Sequence, residues 1–162
     1  MKELQQHIAE YNKQMKLGSI PKTYQKLMKY LMGLRAYFIR QYANEFVIGS
    51  FYQGYMDISY FPITPKVLKA QQLKIGLIFN HEKMQFENWL VGQNKQVQKE
   101  YWLLCKEQQW DQYPLSSTAQ NSIIKHPIIK NPDFEQLDIL TKTIEKETLQ
   151  FITAITNTFP NR

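Results

Sequence analysis

Apolar residues recur along this chain with two different periods. Near the N-terminus, Leu4, Ile8, Tyr11 and Met15 stand four, three and four residues apart in a polar stretch, which predicts one helical stripe over residues 2–16. Gly18-Ser19-Ile20-Pro21 breaks that helix. A second helix is expected from Lys22 to Tyr42, with Tyr24, Leu27, Met28, Leu31, Leu34, Phe38 and Tyr42 on its apolar side. At about 100° per residue, Lys22, Lys26, Lys29 and Arg40 gather on the opposite side. Two antiparallel helices joined by a short turn are the expected opening unit.

The period then shortens. Phe46 to Phe61 is rich in aromatic and β-branched residues, with Gly49 and Gly54 as bend points, and reads as one interrupted strand or two short ones. Pro62 and Pro65 are expected to end it, and a short helix to run from Pro65 to Gln72. Leu73–Phe79 and Met84–Val91 alternate as strands. With His81-Glu82 as a two-residue hairpin loop, Phe79 faces Met84, Leu77 faces Phe86 and Gly76 faces Glu87. One face is then apolar, and the other carries Lys74, Gly76, Ile78, Gln85, Glu87 and Trp89.

Asn94 is a suitable N-cap for a helix from Lys95 to Glu107, with Val97, Tyr101, Leu104 and Cys105 inward. Trp110 to Asn121 reads as loop, and Ile123–Ile129 as a strand that Pro127 confines to an edge. Asn131-Pro132-Asp133 predicts the start of a last helix ending near Thr158, with Leu137, Leu140, Ile144, Phe151, Ile152, Ile155 and Phe159 on its stripe. With no repeat or linker, residues 1–162 read as a single domain. The order predicts an α+β fold: an antiparallel sheet of four or five strands, an N-terminal helical hairpin and a long C-terminal helix.

Composition narrows the function classes. The chain has 162 residues, 43% hydrophobic, 14% aromatic and 21% charged, which excludes a disordered chain. One cysteine excludes a disulfide scaffold and a Cys-rich zinc site. Cys105, after Leu103-Leu104, reads as a small buried hydrophobe. The N-terminus lacks the apolar core of a signal peptide, and no run reaches the roughly 18 apolar residues of a spanning helix. A soluble cytoplasmic protein with no membrane partner is expected. The net charge of +6 is local: residues 1–45 hold 8 basic and 3 acidic side chains, whereas residues 132–162 hold 3 and 5. The charge excess is therefore a weak argument for nucleic acid.

No phosphate-loop, dinucleotide, nucleophile-elbow or metalloprotease motif is present, and no cofactor is expected. His7, His81 and His126 are scattered, so no metal site is expected either. His81, in the hairpin loop, is the best single general-base candidate. Arg35 lies within the apolar stripe of the second helix and needs a partner there. Asp57 and Glu87 are the candidates, because both interrupt apolar strand segments. If the helix covers their face, the three converge. They would form either a structural ion pair or the polar floor of a pocket walled by Tyr52, Tyr55, Tyr60 and Trp89.

The leading expectation is a non-enzymatic binding or accessory domain that recognises a small ligand or a protein through that aromatic pocket. A metal-dependent hydrolase using Asp57 and Glu87 is the alternative. Against it, Trp89 stands where the Asp…Glu-x-Lys site of restriction-nuclease-like folds would need Lys. The third reading is a nucleic-acid-associated protein using Lys22, Lys26, Lys29 and Arg40. A homodimer patch among the tyrosines is compatible with all three.

Gly49-Ser-Phe-Tyr-Gln-Gly-Tyr-Met-Asp57, the run from Leu73 to Lys95, Tyr101-Trp102 and Asn131-Pro132-Asp133-Phe134 together resemble a family of uncharacterised bacterial proteins of about this length. The resemblance extends over nearly the whole chain. It implies a bacterial cytoplasmic domain and brings no activity.

Overall fold

The computed structural model describes residues 2–159. The chain runs α1 (Lys2–Leu17), α2 (Ser19–Tyr42), β1 (Phe46–Ile48), β2 (Ile58–Pro65), α3 (Lys66–Ala70), β3 (Leu73–Asn80), β4 (Gln85–Gly92), α4 (Lys95–Glu107), β5 (Ile124–Ile129) and α5 (Leu137–Thr158). The strands form one antiparallel sheet in sequence order, β1-β2-β3-β4-β5, so each strand pairs with its neighbour in the chain. The α+β architecture is the expected one, with its N-terminal helical hairpin and long C-terminal helix.

Strand alternation separates the two faces of the sheet. Phe61, Leu77, Phe79, Phe86, Leu90 and Ile124 point to one side and are buried. There, α2 contributes Met28, Leu31, Leu34 and Phe38, and α5 contributes Leu140, Ile144, Phe151 and Ile155. Each such side chain contributes roughly 1.5–3 kcal/mol relative to its exposed state. Cys105 and Tyr101 of α4 and Leu68 of α3 complete the same core. Asn94 caps α4 as expected, its side-chain oxygen accepting from Val97 N at 3.0 Å.

Four details differ from the sequence pattern. The β3–β4 loop is four residues, His81–Met84, because Asn80 pairs with Gln85. Asn80 Oδ1 accepts from Lys83 N at 3.1 Å, and Met84 takes a left-handed φ of 49° to close the turn. Phe79 therefore faces Phe86, and Gly76 faces Trp89. Because side chains alternate with period two, this shift leaves every residue on its expected face. Pro62 does not end β2 but lies within it. Its carbonyl accepts from Gly49 N at 3.0 Å, so its missing N–H faces the side where β1 has already ended. The last helix starts at Leu137, four residues after Asp133, whose carboxylate accepts from Glu135 N at 3.0 Å and holds a turn instead. Finally, no residue of α1 is buried.

Candidate functional site

The side of the sheet facing away from α2 and α5 carries a shallow groove of about 570 Å³. No helical residue lines it. Asp57, Ile58, Tyr60, Pro62, Lys74, Gly76, Ile78, Trp89, Val91 and Asn121 do, together with Ile75 and Gly92.

Register explains its shape. Pro62, Gly76, Trp89 and Lys125 stand in one row across β2, β3, β4 and β5. Tyr60, Ile78, Glu87 and Pro127 form the next row. Gly76 is the position in the middle of this face without a side chain, and the depression lies over it. A Cβ there would meet only Ile78, at 3.0 Å from Cδ1 and 3.9 Å from Cγ1. Lys74 and Asp57 mark the two ends. Asp57 precedes Ile58, which pairs with Asn80, six residues along β3 from Lys74. At roughly 3.3 Å per residue the groove is about 20 Å long.

The walls are fixed by polar contacts. Trp89 Nε1 donates to Glu87 Oε1 at 2.8 Å, and Lys125 Nζ lies 4.4 Å from the indole centroid. The indole is thus held between a carboxylate and an ammonium group, an arrangement that favours one orientation. Glu87 is only 3% exposed. Its other oxygen accepts from Asn80 Nδ2 at 3.3 Å and from Gln85 Nε2. All three donors are neutral, so the buried carboxylate is satisfied by hydrogen bonds rather than by a cation. Tyr60 pairs across an isolated bridge with Tyr52, ring centroids 5.1 Å apart. Asp57 Oδ1 accepts from Tyr55 N at 2.9 Å, and the backbone N–H groups of Tyr55 and Ile58 hold its carboxyl below the usual carboxylate range.

The anticipated site residues are therefore only partly gathered. Asp57, Tyr60 and Trp89 line the groove, Tyr52 packs against the Tyr60 ring at a tilt, and Glu87 is hydrogen-bonded to Trp89. Tyr55 is 89% exposed and walls nothing. Arg35 is on the other side of the sheet, half-buried, with its Nε donating to the Gly49 carbonyl at 2.7 Å. Since α2 covers the face opposite to Glu87, Arg35, Asp57 and Glu87 do not meet. Lys22, Lys26, Lys29 and Arg40 are exposed on α2 and lie outside the groove. Among the described residues, no three His, Cys, Asp or Glu side chains cluster as a metal site would require.

Two of the three histidines, His81 and His126, are more enclosed than their positions suggest, whereas His7 is exposed. His81 is 7% exposed, tucked against Phe79 and Tyr24 with ring centroids 5.0 and 6.0 Å away. Its Nε2 lies 2.8 Å from Ser59 Oγ, and the Ser59 hydroxyl also donates to the Gln53 carbonyl. Ser59 has one proton, so Nε2 must carry the hydrogen of the shared contact. His81 is therefore a donor to Ser59 and not a base for it. Burial pushes its pKa down, against the pull of Asp57. His126 stacks on Phe151 at 5.7 Å and is pushed down by burial as well.

Lys74, Gly76, Pro62, Asn121 and Lys125 were not singled out by sequence reasoning. The available signal was Gly76 itself, since an interior strand glycine often marks a close approach.

One comparison identifies the chain. It belongs to the family described as domain of unknown function DUF7000, which matches residues 4–159. No curated protein and no solved structure matches it. No helix among the described residues is long and apolar enough to cross a membrane. DUF7000 membership thus extends over the groove and the helices packed on the opposite face of the sheet.

Proposed function

We propose that this DUF7000 chain is a non-catalytic binding domain that takes an extended ligand, a small molecule or a peptide segment, in the groove over Gly76. The observation that carries the reading is the glycine slot beside an indole pinned by Glu87 and Lys125. Apolar floors with a few oriented polar groups are the usual make-up of ligand sites. The Tyr60 and Trp89 rings offer stacking surfaces at the centre of the groove. Asp57 and Lys74 offer a carboxylate and an ammonium group about 20 Å apart for the two ends. The single cysteine is buried, which supports a reducing, cytoplasmic setting.

The test is amide NMR with a panel of probes: indole-3-acetate, adenosine monophosphate and a capped Pro-Trp dipeptide. Shifts confined to Lys74, Gly76, Ile78 and the Trp89 indole are expected for at least one probe. Silence across the panel, or shifts that map elsewhere, would refute the reading.

A further inference from the structure

Most polar groups of the groove are already committed, and those left over select a class of ligand. The floor offers no free backbone. From residue 76 to residue 80, β3 pairs with β2 on one side and with β4 on the other. Beside Gly76, the Ile75 N–H donates to Thr64 Oγ1 at 3.2 Å. A peptide therefore has no ladder to join as an added strand. The Trp89 indole N–H is spent on Glu87, and the Lys125 ammonium lies over the ring. Two charged groups stay uncommitted among the described residues. The Asp57 carboxylate accepts backbone N–H groups only, and Lys74 is exposed with no hydrogen bond or ion pair.

Shape narrows the choice further. Small molecules bind best where most of their surface is enclosed, and this groove is shallow along its whole length. A span of about 20 Å suits an extended chain instead. A chain that joins no ladder must leave its own N–H and C=O groups to water. The polyproline II conformation does so by default, and aromatic-lined grooves are where it docks. It rises about 3.1 Å per residue with three residues per turn. Residues six apart therefore stand about 19 Å apart on one side, and the residue midway shares that side. That span matches the distance between Lys74 and Asp57.

We infer that the ligand of this groove is a proline-rich peptide segment in the polyproline II conformation, with a basic residue at Asp57 and an acidic residue six positions away at Lys74. Its middle proline packs over Gly76 and Ile78, between Tyr60 on β2 and Trp89 on β4. The inference rests on the groove being a ligand site, as proposed above.

The test titrates the full chain with acetyl-Arg-Pro-Pro-Pro-Pro-Pro-Glu-amide and with the reversed sequence, followed by amide NMR. For at least one of them, shifts at Lys74, Gly76, Ile78 and the Trp89 indole should saturate below about 1 mM. Replacing the peptide's Arg by Gln should weaken binding to the wild type about two- to fivefold, the range of an exposed ion pair, and change nothing in Asp57→Asn. Asparagine keeps an acceptor for Tyr55 N, so the turn there is retained. The same cycle holds for the peptide's Glu and Lys74→Gln. Gly-Ser spacing in place of Pro should weaken binding, because proline has already removed backbone freedom that the flexible chain must lose. Groove shifts from indole-3-acetate, adenosine monophosphate or the dipeptide but none from the heptapeptides would overturn this inference and leave the ligand site standing. So would heptapeptide binding that ignores both charge cycles. Silence from every probe would overturn both.

Discussion

Glu87→Gln tests how the groove wall is built. The carboxylate accepts three N–H groups, from Trp89 on one oxygen and from Asn80 and Gln85 on the other. An amide keeps one acceptor and introduces a donor. Turning the oxygen toward Asn80 and Gln85 preserves two contacts, so the favoured rotamer sets NH₂ against the Trp89 indole N–H. One bond to a charged acceptor is lost and two donors face each other. Trp89 is half-buried, and water offsets part of the loss. The expected cost is about 1–2 kcal/mol. For a domain of this size that lowers the melting temperature by about 2–8 °C. Calorimetry reads the stability, and the indole N–H resonance of Trp89 should move as its acceptor disappears. An unchanged melting temperature together with an unmoved indole resonance would refute the hydrogen-bond account.

Other expectations address the fold. Gly54→Ala should destabilise by more than about 2 kcal/mol, because Gly54 has φ 77° and a Cβ would lie 2.0 Å from the Ile58 carbonyl oxygen. Gly33→Ala, in α2 with nothing within 4 Å, should instead stabilise by about 0.5–1 kcal/mol, and urea unfolding compares the two. His81 and His126 both have folded pKa values pushed down by burial, so the unfolded chain binds more protons near pH 6. Their contribution is present above the unfolded value and is lost as pH falls toward the folded ones. The urea midpoint should drop between pH 7.5 and about 5 in the wild type and drop less in His126→Phe. Burial pushes the Cys105 thiol up to about 11, so Ellman's reagent at pH 8 should label it only on unfolding. Rapid labelling of the folded chain would contradict its burial.

The sequence made the layers legible because the signals there are redundant. In α4, the Asn94 cap and the stripe of Val97, Tyr101 and Cys105 agree, and the helix forms where both place it. Face assignment of β3 and β4 survived a two-residue error in register, since period two is blind to even shifts. The error itself came from turn chemistry. The Asn80 side chain and a left-handed Met84 build the loop; Asn is a common turn residue, but nothing in a methionine announces a positive φ. The site was less legible for a different reason. Arg35 was placed by its helical angle alone, but which face of the sheet α2 covers is a tertiary fact. Tyr55 belongs to the right aromatic run and still projects into solvent, because Gly54 turns the chain there. The groove itself depends on an absent side chain at Gly76, and a pattern of residues says little about empty space.

The affinity of the best-binding probe for wild type and Gly76→Leu, followed through Trp89 fluorescence, tests the central claim most directly. A Cβ at this position meets only the Ile78 side chain, 3.0 Å from Cδ1, and the rest of a leucine side chain would extend into the groove, so the fold should be retained. The side chain would then occupy the slot beside Trp89. The account predicts at least about a tenfold loss of affinity, about 1.4 kcal/mol, with an unchanged melting temperature. Equal affinity in the two proteins would contradict it.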